Sequence, residues 1–215
     1  MSFYDGAAAD AGFEIGVRTT LQAILASPSF VFRLERAPGE VSPGDTYRVA
    51  DVDLASRLSF FLWGTVPDEA LLGLAQAGRL SEDQVLRQQV ERMLADPRSE
   101  ALATRFASQW LRLQDTEKNS PDAYLYPDFT GQLRGDMVRE TQLLFHHLVR
   151  EDRSLLELAS ADYTFINDRL AAHYGIPDVA GPEFRRVEYP DATRRGLLGH
   201  GSVLLLTSNA AGSGA

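Results

Sequence analysis

Asp136 and Glu140 stand one helical turn apart, and His147 lies two turns further along the same stretch. Arg169 and His173 follow in the next amphipathic segment. Carboxylates four residues apart on a helix can converge on one point, which suits a hard divalent cation or a shared proton. With Asp136 and Glu140 as metal ligands, His147 or His173 as general base and Arg169 steadying negative charge, the set describes a metal-dependent hydrolase of phosphate or carboxylic esters. The plainer alternative is ion pairing. An acid at the edge of a buried stripe is usually neutralised, and Arg105, Arg139 or Arg169 can do so here. His147 lies about 10 Å along the helix axis from Glu140, at ~1.5 Å per residue, so one ion is not expected to take both. With Glu151 at i+4 it makes either an acid–base dyad or a salt bridge. His173 falls in the last turn of its helix, where the dipole favours a cation.

No complete catalytic signature accompanies these residues. A di-iron bundle wants Glu-x-x-His, but position 143 is leucine. The zincin His-Glu-x-x-His is absent. Gly199-His200-Gly201-Ser202 lacks the glycine of a nucleophile elbow, since position 204 is leucine. Tyr163, Phe165 and Tyr174 are assigned to the core rather than to a stacking platform. Asp162, Asn167 and Arg169 either line a cleft or cap and cross-link a turn. Arg185, Arg186, Arg194 and Arg195 form a small basic patch, facing solvent beside Glu188 and Asp191 or receiving an anion.

The elements that must position these groups are helical. On a helical wheel Leu133, Met137, Thr141, Leu144, Phe145 and Leu148 cover one arc, with Asp136, Glu140 and His147 in a wedge at its edge. His146 and Arg139 point away from it. Phe13, Val17, Leu21, Ile24 and Leu25 mark an earlier helix within 10–27. Further helices are expected from an Asp51 N-cap to Trp63, from Pro67 to Gly78, and over 82–95 behind a Ser81/Gln84 capping box. A helix over 98–113 is expected to bury Leu102, Phe106, Trp110 and Leu113. Asn167 caps a helix over 168–174 that Gly175 and Pro177 stop. Residues 183–189 alternate enough for a short strand, and 195–208 read as helix. The class is all-α: a bundle-like orthogonal array with at most one strand pair. The expected division is an N-terminal lobe at 1–113, a connection at 114–129, a C-terminal lobe at 130–209 and a linker-like tail at 210–215.

Composition narrows the functions. The 215 residues carry a net charge of −9, which argues against nucleic acid as a partner. There is no cysteine, which removes disulfides, thiolate metal sites and covalently attached haem. No run reaches the ~20 apolar residues of a membrane span. The N-terminus has no basic and apolar leader pattern, so no signal peptide is expected there.

Four runs carry a resemblance. ASRLSFFLWGTVPDEALLGLAQAGRL, RMLADPRSEALATRFASQWLRL, RETQLLFHHLVREDRSLLELASADYTFINDRLAAHYGIP and RRGLLGHGSVLLLTSN, in this order, resemble consecutive helical domains of unknown function. Those domains occur in large exported proteins of planctomycetes and myxobacteria, commonly beside cytochrome c-type haem domains. The opening GAAADAGFEIGVRTTLQAILASPSFVFR is similar to the domain that usually precedes them. The resemblance implies a fragment of a larger exported, redox-associated protein. The family more often has another polar residue at position 200, so His200 inherits no role from it. The leading expectation is therefore a helical binding or scaffold module whose partner is the rest of a larger protein or a small molecule. The alternative is the hydrolase, with a divalent metal ion as cofactor. Non-covalent haem on His147 or His173 is a third reading.

Overall fold

Capping residues and glycines divide the chain into short helices around one longer helix. The computed structural model describes residues 2–35, 38–39, 41–42 and 44–208, without the side chains of Ser2 and Ser29. The tail expected at 210–215 lies outside the described residues. In chain order come α1 (Ser2–Ala11), α2 (Phe13–Ala26) and α3 (Pro28–Val31), then α4 (Asp51–Leu62), α5 (Glu69–Gln76) and α6 (Asp83–Ala95). A π-helical stretch (Leu102–Ala107) runs into α7 (Ser108–Trp110), followed by a 3-10 stretch (Leu113–Lys118) and α8 (Gly131–Arg150). Then come α9 (Glu157–Ser160), β1 (Tyr163–Ile166), α10 (Asp168–Tyr174), β2 (Arg185–Glu188) and α11 (Gly201–Thr207). The two strands pair antiparallel, Tyr163 opposite Glu188 and Ile166 opposite Arg185. Among the described residues this is the all-α class with a single strand pair.

Local chemistry sets the ends that matter for the site. Thr130 caps α8, its hydroxyl accepting from the Leu133 N–H at 3.1 Å. Asn167 caps α10 through the Leu170 N–H at 3.0 Å, and Gly175 closes that helix in the left-handed region. The α8 stripe is buried as its periodicity requires, from Leu133 and Met137 through Thr141 to Leu144, Phe145 and Leu148. Phe145 joins a cluster built on Leu62, Trp63, Leu71, Leu80 and Met93. Leu133 and Met137 join Ile166 and Leu170. Leu144 and Leu148 join Ala161 and Tyr163. α8 is thus common to all three clusters.

Several expectations are corrected. Residues 98–113 are not one α-helix. The π stretch widens the turn, and Arg112 sits in the left-handed region at φ 55°. The widened turn rotates the inward face onto Ala103 and Ala107 and leaves Phe106 41% and Trp110 55% exposed. Trp63 is buried as expected, its indole N–H donating to the Met93 carbonyl at 2.9 Å. Asp51 is the first residue of α4 rather than its cap; its carboxylate accepts from the Ser81 N–H at 3.3 Å. The Ser81/Gln84 capping box does not form, because Glu82 takes the cap position of α6. α1 was not foreseen at all.

The core assignment predicts a contrast. Leu144→Ala, at a site with no solvent contact, should lower the unfolding free energy by about 3 kcal/mol in urea titrations. Trp110→Ser should cost less than ~1 kcal/mol. Equal losses would mean that the π-helical rotation is wrong.

Candidate functional site

α8 presents Glu140 to two other elements at once, and through one of them to a third. Thr164 of β1 places its hydroxyl oxygen 2.5 Å from Glu140 Oε1. Tyr174, at the end of α10, donates its hydroxyl to Glu140 Oε2 at 2.6 Å and accepts from the Gly201 N–H at 2.7 Å. That last contact needs glycine. A Cβ at position 201 would lie 2.8 Å from Met137 Cγ and 2.9 Å from Tyr174 Oη. Behind this group, Thr141 Oγ1 lies 2.8 Å from both His200 Nδ1 and Ser202 Oγ. His200 Nε2 is 3.9 Å from Glu140 Oε1, too far for a hydrogen bond, and among the described residues it has no other partner. Among the described residues the Tyr189 hydroxyl is likewise buried without a partner in hydrogen-bond geometry, with Thr164 nearby.

Burial governs the protonation of this network. It pushes the Glu140 carboxyl up from 4.5 to about 7, against the bonds from Thr164 and Tyr174 and the positive charge of Arg194. It pushes His200 down from 6.5 to about 3, and Arg194 adds to that. Burial and the neighbouring Glu140 raise both tyrosines, Tyr189 to about 12. At mildly acid pH the interior therefore holds a neutral acid beside a neutral imidazole. Two neutral groups are the form that a low-dielectric site tolerates.

Next to this network lies a cleft of about 510 Å³ between the 119–129 segment, α8, α10 and α11. Leu125, Phe129, Met137, Leu204 and Leu205 supply apolar walls; Tyr174, His173 and Arg194 supply polar groups. The Arg194 guanidinium stacks over the Tyr174 ring at 4.1 Å and donates to the Gly199 carbonyl at 2.6 Å. Among the described residues no carboxylate stands within ion-pair distance of it. Asp122 and Asp128, at the cleft edge, are exposed.

The residues singled out in the sequence are not all brought together. Asp136 Oδ2 is ion-paired with Arg169 Nη1 at 2.9 Å. Glu140, one turn on, is wholly buried against Thr164 and Tyr174. His147 packs on Tyr163 and Phe165, ring centroids 5.6 and 5.2 Å away, and burial lowers its pKa. No ion pair joins it to Glu151 among the described residues. His173 alone of the five lines the cleft, beside Tyr174. Burial and Arg194 lower its pKa. Sequence reasoning missed Thr164, Tyr189, Ser202 and the role of His200. It placed Tyr174 in the core, against which the ring does pack, and Arg194 in a basic patch facing solvent or receiving an anion. Among the described residues no three or more His, Cys, Asp or Glu gather as a metal site, and no helix is long and apolar enough to cross a membrane.

Comparison with known proteins places the chain. Residues 49–176 match the family described as protein of unknown function (DUF1592), and the chain belongs to that family. No curated protein and no solved structure matches it. Asp136, Glu140, Thr164 and Tyr174 fall inside the matched span; Tyr189, Arg194 and His200 fall beyond it.

Protonation of the Glu140–His200 pair has a signed consequence. Glu140, raised, contributes stability that is full below pH 4.5 and lost as pH rises through about 7. His200, depressed, contributes stability that is full above pH 6.5 and lost as pH falls through about 3. Between 4.5 and 6.5 the two slopes cancel, because folded and unfolded chains each hold one proton at the pair. Glu140→Gln leaves the His200 slope alone. The variant should then lose about 1.4 kcal/mol relative to the parent chain per pH unit between 6.5 and 4.5. Parallel stability profiles across that window would show that Glu140 is ionised in the fold.

Proposed function

We propose that the chain is a helical binding module whose cleft takes an organic monoanion with an apolar body. The single observation behind this is the half-buried Arg194, held against Tyr174 at an apolar cleft with no carboxylate among the described residues in ion-pair contact with it. A guanidinium so placed offers donors in a fixed fork that suits a carboxylate. Asp122 and Asp128 at the rim disfavour a polyanion, so one negative charge fits better than several. Leucine, methionine and phenylalanine walls suit a hydrocarbon body. The buried Glu140–Tyr174–Gly201 contacts give the cleft a rigid wall rather than a reacting group. Service within a larger exported, redox-associated protein is carried by the sequence resemblance alone.

The hydrolase reading has less support. It would require Asp136 to leave Arg169 and Glu140 to leave Thr164 and Tyr174 before both could hold one ion. Loss of ester turnover on chelation, with restoration by a divalent metal, would favour it over the binding reading.

Calorimetric titration with dodecanoate tests the proposal. Binding should weaken at least ~10-fold in Arg194→Met, the cost of about one charge-assisted bond. It should also weaken as pH rises from 6 to 8, because Glu140 then ionises and compensates Arg194 from within. No binding to the parent chain, or equal binding to Arg194→Met, would sink the reading.

A further inference from the structure

The cleft beside Tyr174 is bordered by charges of both signs. Arg194 is half-buried against the Tyr174 ring, while Asp122 and Asp128 stand exposed at the cleft edge. The segment that carries the two acids is tied down. Asn119 Nδ2 donates to the Leu205 carbonyl of α11 at 2.9 Å. The Asp122 carbonyl accepts from the Leu125 and Tyr126 N–H groups at 3.1 and 2.8 Å, and Asp122 Oδ1 accepts from the Tyr124 N–H at 2.7 Å. Among the described residues, Asp122 Oδ2 and the Asp128 carboxylate take no hydrogen bond or ion pair. The basic residues nearest to them in sequence are engaged elsewhere. Lys118 pairs with Asp115 at 2.7 Å, and Arg134 donates to the Glu117 carbonyl at 3.1 Å. His173, the other basic side chain of the lining, is held below its usual 6.5 by burial and by Arg194.

We infer that the molecule the cleft takes is a zwitterion, with a carboxylate on Arg194 at one end of its apolar body and a protonated amine at the other, facing Asp122 and Asp128. This rests on the cleft reading proposed above and adds the second charge to it. An ammonium at the edge gains from both carboxylates and keeps much of its water, so little desolvation opposes it. A second carboxylate there is repelled by both. The net charge of −9 draws a cationic group toward the chain from further away. The plainer reading of the two acids is local. Asp122 fixes its turn, and Asp128 lies two residues before the Thr130 cap, where the α8 dipole favours an acid. Those roles explain the turn, yet they occupy one of the four carboxylate oxygens, and both residues still border the cleft.

Calorimetric titration with dodecanoates that differ only at the far end tests the second charge. At low ionic strength ω-aminododecanoate should bind ~3-fold tighter than ω-hydroxydodecanoate, the size of an exposed ion pair, and dodecanedioate should bind more weakly than either. High salt should bring the first two toward parity. So should Asp122→Asn combined with Asp128→Asn, in which asparagine keeps the oxygen that caps the turn at position 122. The readout is a ratio of two ligands on one protein, so a variant that weakens both alike leaves it unchanged. If dodecanoate binds through Arg194 but the amine is no better than the hydroxyl, this inference is overturned and the cleft reading stands. A preference that survives the double variant, or high salt, overturns it equally. If none of these ligands binds, both fall together.

Discussion

The structure depends on a carboxyl group that has no access to water. Glu140 joins α8 to β1 through Thr164 and to α10 through Tyr174, and Tyr174 in turn holds the first N–H of α11. Residues 131–150, 163–174 and 201–207 are thus joined around one side chain, the last of them through Tyr174. An ionised carboxylate in such a place would be penalised heavily, so the group keeps its proton up to about pH 7. Removing it would leave the hydroxyls of Thr164 and Tyr174 short of a partner in the interior.

That constraint shapes the cleft. Tyr174 is held at its tip by Glu140 and at its face by Arg194, so its ring forms a fixed wall. Because the neighbouring acid is neutral, the Arg194 charge is left for whatever enters the cleft. His200 completes the arrangement from behind. Held neutral by burial, it adds no second positive charge beside the arginine. On the proposed reading the polar interior is a support, and the cleft is the recognising surface.

The local parts of this were legible in the sequence. The α8 stripe follows from 3.6-residue periodicity, and Asn167 and Gly175 end α10 through contacts a few residues long. Glu140 was visible as an acid at the edge of a core-facing arc. Its full burial was not, because its partners stand 24 and 34 residues away and His200 stands further still. Asp136 meeting Arg169 was one of several pairings that periodicity allowed. Phe106 and Trp110 were misplaced because a wheel of constant pitch cannot register a π turn. The apolar side of α2 was read correctly as a stripe, but a stripe does not say what covers it. The resemblance identified a family of helical domains, and that family carries no activity that could be transferred to these residues.

The most direct measurement is a carbon-13 NMR titration of glutamate side-chain carboxyls in the parent chain and in Glu140→Gln. A buried, proton-retaining Glu140 predicts one carboxyl resonance with its midpoint near pH 7, absent from the variant. If every glutamate in the folded parent chain titrated in the ordinary range near 4.5, the acid would be ionised and solvated, and the account of how these four elements are held together would be contradicted.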